Sequence, residues 1–221
     1  MMNFAKFAVA AVLSAALFAV PARASDETEL IASANQTVNN LKSDPAFATA
    51  ARTLHTAKAV LIIPKLVKGG FIFGAEGGSG VLLKRTGRSW SQPAFFTLGS
   101  ASFGLQIGLQ QAQLIFIIMS DRALAGIVHG ETKLGAGAGL TVVTLSAGAE
   151  GATTTHGGDM VVWTSGTGAY GGLTFNGSVV KPRKDWNTEF YGGEVGIMDI
   201  LNDKPRNTEA AALRQNLATV W

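Results

Sequence analysis

The sequence contains no cysteine. Disulfides, thiolate-ligated metals and a lipid-modified cysteine behind a leader are therefore excluded. Net charge is scarce too. The formal value is +3, but Lys6 and Arg23 fall within the first 24 residues, and without them 16 basic side chains face 15 acidic ones. A nucleic-acid binder of this size carries a larger basic surplus. Long apolar runs are missing beyond residue 24: Leu114–Met119 stops after six residues at Ser120-Asp121-Arg122, the length of a buried strand and far short of a membrane-spanning helix. Glycine is absent from both ends, all 27 residues lying between Gly69 and Gly196.

The first 24 residues read as a secretory leader. Lys6 supplies the positive region, Phe7 to Val20 the small apolar stretch, and Ala22-Arg23-Ala24 an A-x-A cleavage site. Three segments follow from composition: a leader at 1–24, a helical segment at 25–57, and a glycine-rich body with a terminal helix at 58–221. In the helical segment Leu30, Ile31, Ala34, Val38 and Leu41 share a face, and Asp44-Pro45 opens a second helix. Leu213, Leu217 and Val220 align on a last helix capped by Asn207 or Thr208.

The middle reads as strands: Ala59–Ile63 ended by Pro64, then Phe71–Ala75, Gly80–Lys84, Ala94–Leu98, Ser102–Leu109, Leu114–Met119, Lys133–Leu145 and Met160–Thr164. Asp121–His129 is a short helix between Ser120 as cap and Gly130 as stop. Asn176-Gly177 predicts a type I′ hairpin turn within Gly172–Lys181. The expected fold class is α+β, a curved Gly-rich antiparallel sheet or partial β-barrel flanked by N- and C-terminal helices. At Leu134–Leu140 glycine and alanine alternate, so one strand face has no side chains and either packs closely or leaves room for a ligand.

The stretch Gly70–Arg85 raises a choice between a phosphate-cradling loop and a sheet whose backbones come close. Gly166-Thr-Gly168-Ala-Tyr-Gly171 matches G-x-G-x-x-G literally, but a hairpin follows where a dinucleotide site needs a helix N-terminus. No G-x-S-x-G or H-E-x-x-H motif occurs. His129, Glu131, His156 and Asp159 are the residues a metal-dependent enzyme would use, though their spacing does not require a metal. Basic charge clusters at Lys58, Lys65, Lys68, Lys84, Arg85 and Arg88, opposed within that span by Glu76 alone. Such a run is either a solvated face or a contact for an anionic partner.

Several short motifs occur in a specific order: Ala57-Lys58…Ile63-Pro64, Gly69-Gly70-Phe71…Phe73-Gly74, Gly78-Ser-Gly80-Val81-Leu82…Arg85, Trp90-Ser91-Gln-Pro93-Ala94-Phe95, Gly104-Leu-Gln106-Ile-Gly108, Gly166…Gly168-Ala-Tyr-Gly171-Gly172 and Tyr191-Gly192. In these the chain resembles the SYLF domain family from about Ala57 to Gly193. The resemblance implies phospholipid binding, with phosphoinositides as ligands and actin association in eukaryotic members. No SH3 or FYVE segment accompanies it, and the leader implies a bacterial exported protein that meets neither actin nor phosphoinositides.

The expected function is a non-enzymatic phospholipid- or amphiphile-binding protein of the cell envelope, periplasmic and peripheral to a membrane. An anionic phospholipid or membrane surface would be its partner, without nucleic acid, cofactor or metal. The candidate head-group residues are Lys65, Lys68, Lys84, Arg85 and Arg88. The alternatives are a structural or protein-interaction module without a lipid ligand, an outer-membrane barrel and, last, a metal-dependent enzyme.

The leader makes a direct prediction. Cleavage follows Ala24, so the intact mass of the exported protein should correspond to a chain starting at Ser25; a product retaining Met1 would refute it.

Overall fold

A proline in the middle of a central strand sets the shape of the sheet. The computed structural model describes residues 25–44, 47–70, 73–103, 108–130, 133–134, 142–146, 158–167 and 178–220. The sequence pattern stops the first strand at Pro64, but β1 continues through it, Ala59–Gly70. Proline cannot donate to a ladder, and a strand keeps one only where pairing is already broken. The break is there on both sides. Pairing with β5 (Gly108–Ile118) lapses between Ile63 and Leu66, and pairing with β2 (Phe73–Thr86) lapses between Ile62 and Val67. In each case β1 carries one residue more than its neighbour, which is a β-bulge.

The glycines of β2 receive that bulge. A Cβ added at Gly78 would sit 2.5 Å from the Lys65 carbonyl oxygen, and one added at Gly80 would sit 2.6 Å from the Ile62 carbonyl oxygen. Both obstacles are backbone, which cannot rotate away. This decides the choice posed by Gly70–Arg85: the glycines admit a neighbouring strand. Because Gly77 and Gly78 stay in the ladder, the two strands expected at 71–75 and 80–84 are one strand of 14 residues.

Nine strands form one sheet among the described residues. The order is β6-β9-β4-β2-β1-β5-β8-β7, and the two-residue β3 (Ser89–Trp90) pairs with the end of β2. The others are β4 (Ala94–Phe103), β6 (Lys133–Leu134), β7 (Val142–Ser146), β8 (Met160–Thr167) and β9 (Ser178–Pro182). Every pair is antiparallel except β7 with β8, which is parallel and departs from the all-antiparallel expectation. The expected strand Ser102–Leu109 spans the junction between β4 and β5. The expected strand Lys133–Leu145 is two, and they lie at opposite edges. Seven residues, 135–141, separate them in sequence. A chain that short reaches at most about 29 Å, whereas eight flat strands would place the edges about 34 Å apart. The sheet is therefore curled, though open: β6 and β7 do not pair among the described residues.

Each face of the sheet has its own core. On one, Val60, Ile62, Val81, Leu83, Trp90, Phe95, Ile115 and Trp163 pack under α1 (Asp26–Lys42), α2 (Phe47–Thr56) and α6 (Ala211–Ala218). Ile31, Ala34, Val38 and Leu41 supply the expected face of α1, and Leu213, Leu217 and Val220 that of the C-terminal helix. Ser25 caps α1 by accepting from the Thr28 amide at 3.3 Å. Helix α6 is capped at Ala210 without a side-chain bond; Asn207 accepts instead from the Glu209 amide at 2.8 Å. On the other face Leu61, Ile63, Leu82, Phe96, Leu114 and Phe116 pack against α3 (Asp121–His129) and residues 195–201. Ser120 caps α3, accepting from the Ala123 amide at 3.1 Å, and Gly130 ends it at φ 70°. Helices α4 (Lys184–Tyr191) and α5 (Ile197–Ile200) carry no counterpart in the sequence pattern.

Helix α6 lies along α1. The Lys42 ammonium, in the last turn of α1, donates to the Asn216 carbonyl at 3.1 Å, to the Asn216 side-chain oxygen and to the Thr219 hydroxyl at 2.9 Å. One cation thus serves the C-terminal ends of two helices, where a positive charge opposes the helix dipole; burial pulls its pKa below the ordinary lysine value. The leader, the Asp44-Pro45 start, the Gly/Ala alternation at 135–139 and the Asn176-Gly177 turn lie wholly or partly outside the described residues.

The bulge makes a contrast that can be measured. Gly80→Ala should lower stability by about 1–3 kcal/mol through overpacking against the β1 backbone. Gly193→Ala, where an added Cβ meets nothing within 4 Å, should change it by less than about 0.5 kcal/mol. Urea denaturation of both checks this; equal midpoints would refute the close approach.

Candidate functional site

The five candidate head-group residues do not form one patch. β1 and β2 run antiparallel with Ala59 opposite Lys84 and Gly70 opposite Gly74, so Lys65 and Lys68 lie toward one end of the hairpin and Lys84, Arg85 and Arg88 at the other. One groove lies at the Lys84 end and another beside the bulge in mid-strand.

The groove at the Lys84 end has a volume of about 450 Å³ and is lined by His55, Thr56, Lys58, Lys84, Arg85 and Asp121, among others. Strand alternation sends Lys84 and Arg85 to opposite faces, and the two faces hold them differently. Lys84 donates to the Asn202 side chain at 3.0 Å. Arg85 turns under α2 and donates from Nη1 to the Leu54 and His55 carbonyls at 2.7 and 2.6 Å, and from Nε to the Gly87 carbonyl at 3.0 Å. It therefore closes the last turn of α2, whose carbonyls have no partner in the helix. Lys58 is 3.3 Å from Asp121. Arg88 is exposed in the turn between β2 and β3.

The other groove is larger, about 560 Å³, and it opens beside the β1 bulge. Ser33 and Gln36 of α1, Pro64 and Lys65 of the bulge, Gln111 and Gln113 of β5, and Ser165 of β8 line it. Here Gln36 donates to Asn40 at 3.0 Å, and Asn40 donates to Gln113 at 2.9 Å. Sequence reasoning singled out none of these amides, since isolated glutamines on a helix and a strand carry no motif. Lys68, part-buried and opposite Glu76 in the β1–β2 register, belongs to neither set of lining residues.

The Trp90–Phe95 motif proves to be a fastening. Ser91 accepts from the Lys84 backbone N–H at 2.9 Å, Gln92 donates its backbone N–H to the Asp203 carboxylate at 2.8 Å, and Tyr191 donates its hydroxyl to the Pro93 carbonyl at 2.6 Å. Burial raises the pKa of Tyr191 far above the usual tyrosine range, so it remains a donor at any physiological pH. Arg214 donates to the Trp90 carbonyl at 2.7 Å. Asn187, buried in α4, accepts from the Phe95 amide at 2.9 Å and donates to the Phe95 carbonyl at 3.1 Å. It thus pairs with β4 as another strand would.

Among the described residues no three His, Asp or Glu side chains gather as a metal set would, and no helix is long and apolar enough to cross a membrane. Asp159 accepts instead from Ser120 at 2.6 Å and Arg122 at 2.7 Å. Of its expected companions, Glu131 and His156 lie outside the described residues.

A family model described as "Ysc84: Las17-binding protein actin regulator" matches residues 99–220. The human SH3 domain-containing YSC84-like protein 1 is 29% identical over 171 residues, covering 76% of this chain and 50% of that protein. Protein YSC84 of Saccharomyces cerevisiae is 28% identical over 163 residues, 72% of this chain and 35% of its own length. LAS seventeen-binding protein 3 of the same yeast is 27% identical over 158 residues, 69% and 34%. The chain thus spans about half the length of the human relative and about a third of the yeast ones. No solved structure matches it.

Asn187→Ala should cost about 1–3 kcal/mol, because it removes partners from the buried Phe95 peptide groups. Thermal and urea unfolding of the variant test this; wild-type stability would show that the α4–β4 fastening is dispensable.

Proposed function

Because the chain belongs to the Ysc84, or SYLF, family, we propose that it is a non-catalytic interaction module whose ligand is another protein. The observation that carries this reading is the match of residues 99–220 to a family described by what it binds. A regulator of that kind acts by presenting a surface, and the surface here offers two grooves, one at the Lys84 end of the β1–β2 hairpin and one beside the mid-strand bulge. Las17 binding and actin regulation belong to the relatives; what carries over to this chain is the mode, recognition of a protein partner on a rigid sheet.

A second reading has its own support. Lys58, Lys84 and Arg85 border the smaller groove, against Asp121 as the one carboxylate among the described lining residues, and cationic side chains beside apolar surface favour an anionic phospholipid head group. In this reading the protein works in the bacterial cell envelope, delivered by its leader and peripheral to the membrane. Lys65, Lys68 and Arg88 then stand apart from the head group.

One experiment separates the two. A photo-crosslinking amino acid is placed in turn at Ser33 beside the larger groove, at Thr56 beside the smaller one and at Glu189 on α4 as control, in the cells that make the protein. Discrete protein adducts at Ser33 or Thr56 and none at Glu189 are expected. Lipid adducts at Thr56 without protein adducts would replace the first reading by the second, and no adduct at either groove would remove both.

A further inference from the structure

We propose that the groove beside the β1 bulge binds an extended peptide segment by its backbone. The inference rests on the reading of the chain as a protein-interaction module and names the site and the form of the partner. Its basis is the chain of three amides. Gln36 donates to Asn40 and Asn40 donates to Gln113. Each bond uses one amide nitrogen and one amide oxygen, so the run has two ends: the Gln36 carbonyl, an acceptor, and the Gln113 amide nitrogen, a donor. Turning all three amides over exchanges the ends but still leaves one donor and one acceptor. Neither end has a further partner among the described residues.

A peptide group offers the complementary pair, one N–H and one C=O. Spacing agrees with this. Gln111 and Gln113 both line the groove and lie two residues apart on β5, about 7 Å along the strand. Peptide groups on one side of an extended chain recur at that same interval, so a segment running beside β5 meets both glutamines in register. The α1 side holds the segment through Gln36 and the bulge side through Lys65.

Composition argues against the other ligand classes. Among the described residues Lys65 is the only charged side chain lining the groove, so a phosphate would find one cation among them. No aromatic ring lines it among the described residues, so a sugar would find no flat face to stack on there. Neutral amides in a row suit an uncharged backbone, and the volume of about 560 Å³ lies within the usual range for a bound ligand.

The test begins with a random dodecapeptide library displayed on phage and selected against the whole protein. Enriched peptides are then titrated into 15N-labelled protein while the side-chain amide signals of Gln36, Asn40 and Gln113 are followed. The three signals should shift together. Gln36→Met and Gln113→Met should each weaken binding about fivefold, the effect of one hydrogen bond, with both variants still folded, and N-methylation of single peptide nitrogens should weaken it at alternate positions. Failure to enrich any peptide would overturn the proposal, as would peptides that bind and leave the three signals unmoved. Movement of those signals by chito-oligosaccharides or by acidic phospholipid vesicles, and not by peptides, would overturn it in favour of that ligand. Protein adducts at Thr56 alone would keep the interaction reading and exclude this groove; absence of protein adducts from both positions would remove the reading on which it rests.

Discussion

The fit between the β1 bulge and the glycines of β2 is the constraint on which the rest of the sheet depends. Pro64 gives up a ladder bond, and the extra residue pushes the Ile62 and Lys65 carbonyls toward β2. Only a strand without side chains at 78 and 80 can lie there. With that contact made, β1 remains paired on both sides of the proline, and two long hydrogen-bonded runs flank a local bend. Bulges increase strand twist, which moves the sheet toward the curl that the short 135–141 connection requires. The same bulge opens the larger groove, so the feature that shapes the core also shapes the surface.

A second layer of order is polar. The Trp90–Phe95 stretch connects β3 to β4 and is held by α4, α6 and Asp203 through backbone-directed bonds from Asn187, Tyr191 and Arg214. These satisfy peptide groups that the connection leaves buried, and buried peptide groups cost free energy when unpaired. Phe95 is meanwhile clasped edge-on by Trp186 and Phe190, with ring centroids 6.0 and 5.1 Å away. The segment from α4 to α6 is therefore integral to the sheet it covers.

Local signals were legible and long-range ones were not. The buried face of α1, the Ser120 cap, the Gly130 stop and the close approach behind Gly78 and Gly80 all follow from a few neighbouring residues. Helix α4 was missed because Lys184-Asp-Trp-Asn-Thr-Glu-Phe-Tyr191 holds its helix by tertiary contact, Asn187 to Phe95 above all, and asparagine and threonine are weak helix formers. Pro64 misled for a related reason: a proline ends a strand unless a neighbour is built to take the bulge, and that neighbour lies more than ten residues on. For the candidate site, charge was visible and geometry was not. Sequence counts Arg85 as one more cation, whereas its guanidinium is committed to the end of α2. The amide chain joins residues 36, 40 and 113 across two elements, and no spacing rule connects them.

The placement of β6 and β7 at opposite edges has a consequence for how the protein reaches its fold. Strands separated by seven residues cannot be seated as a hairpin here, because six other strands stand between them in the sheet. β6 pairs with β9 and β7 with β8, so each edge strand waits for a partner from later in the chain, and the 135–141 link spans the two edges only when the sheet between them is curled. A sheet wired this way has many contacts between distant residues, the topology that makes folding slow, and in the interval its unpaired edges are open to the wrong neighbour.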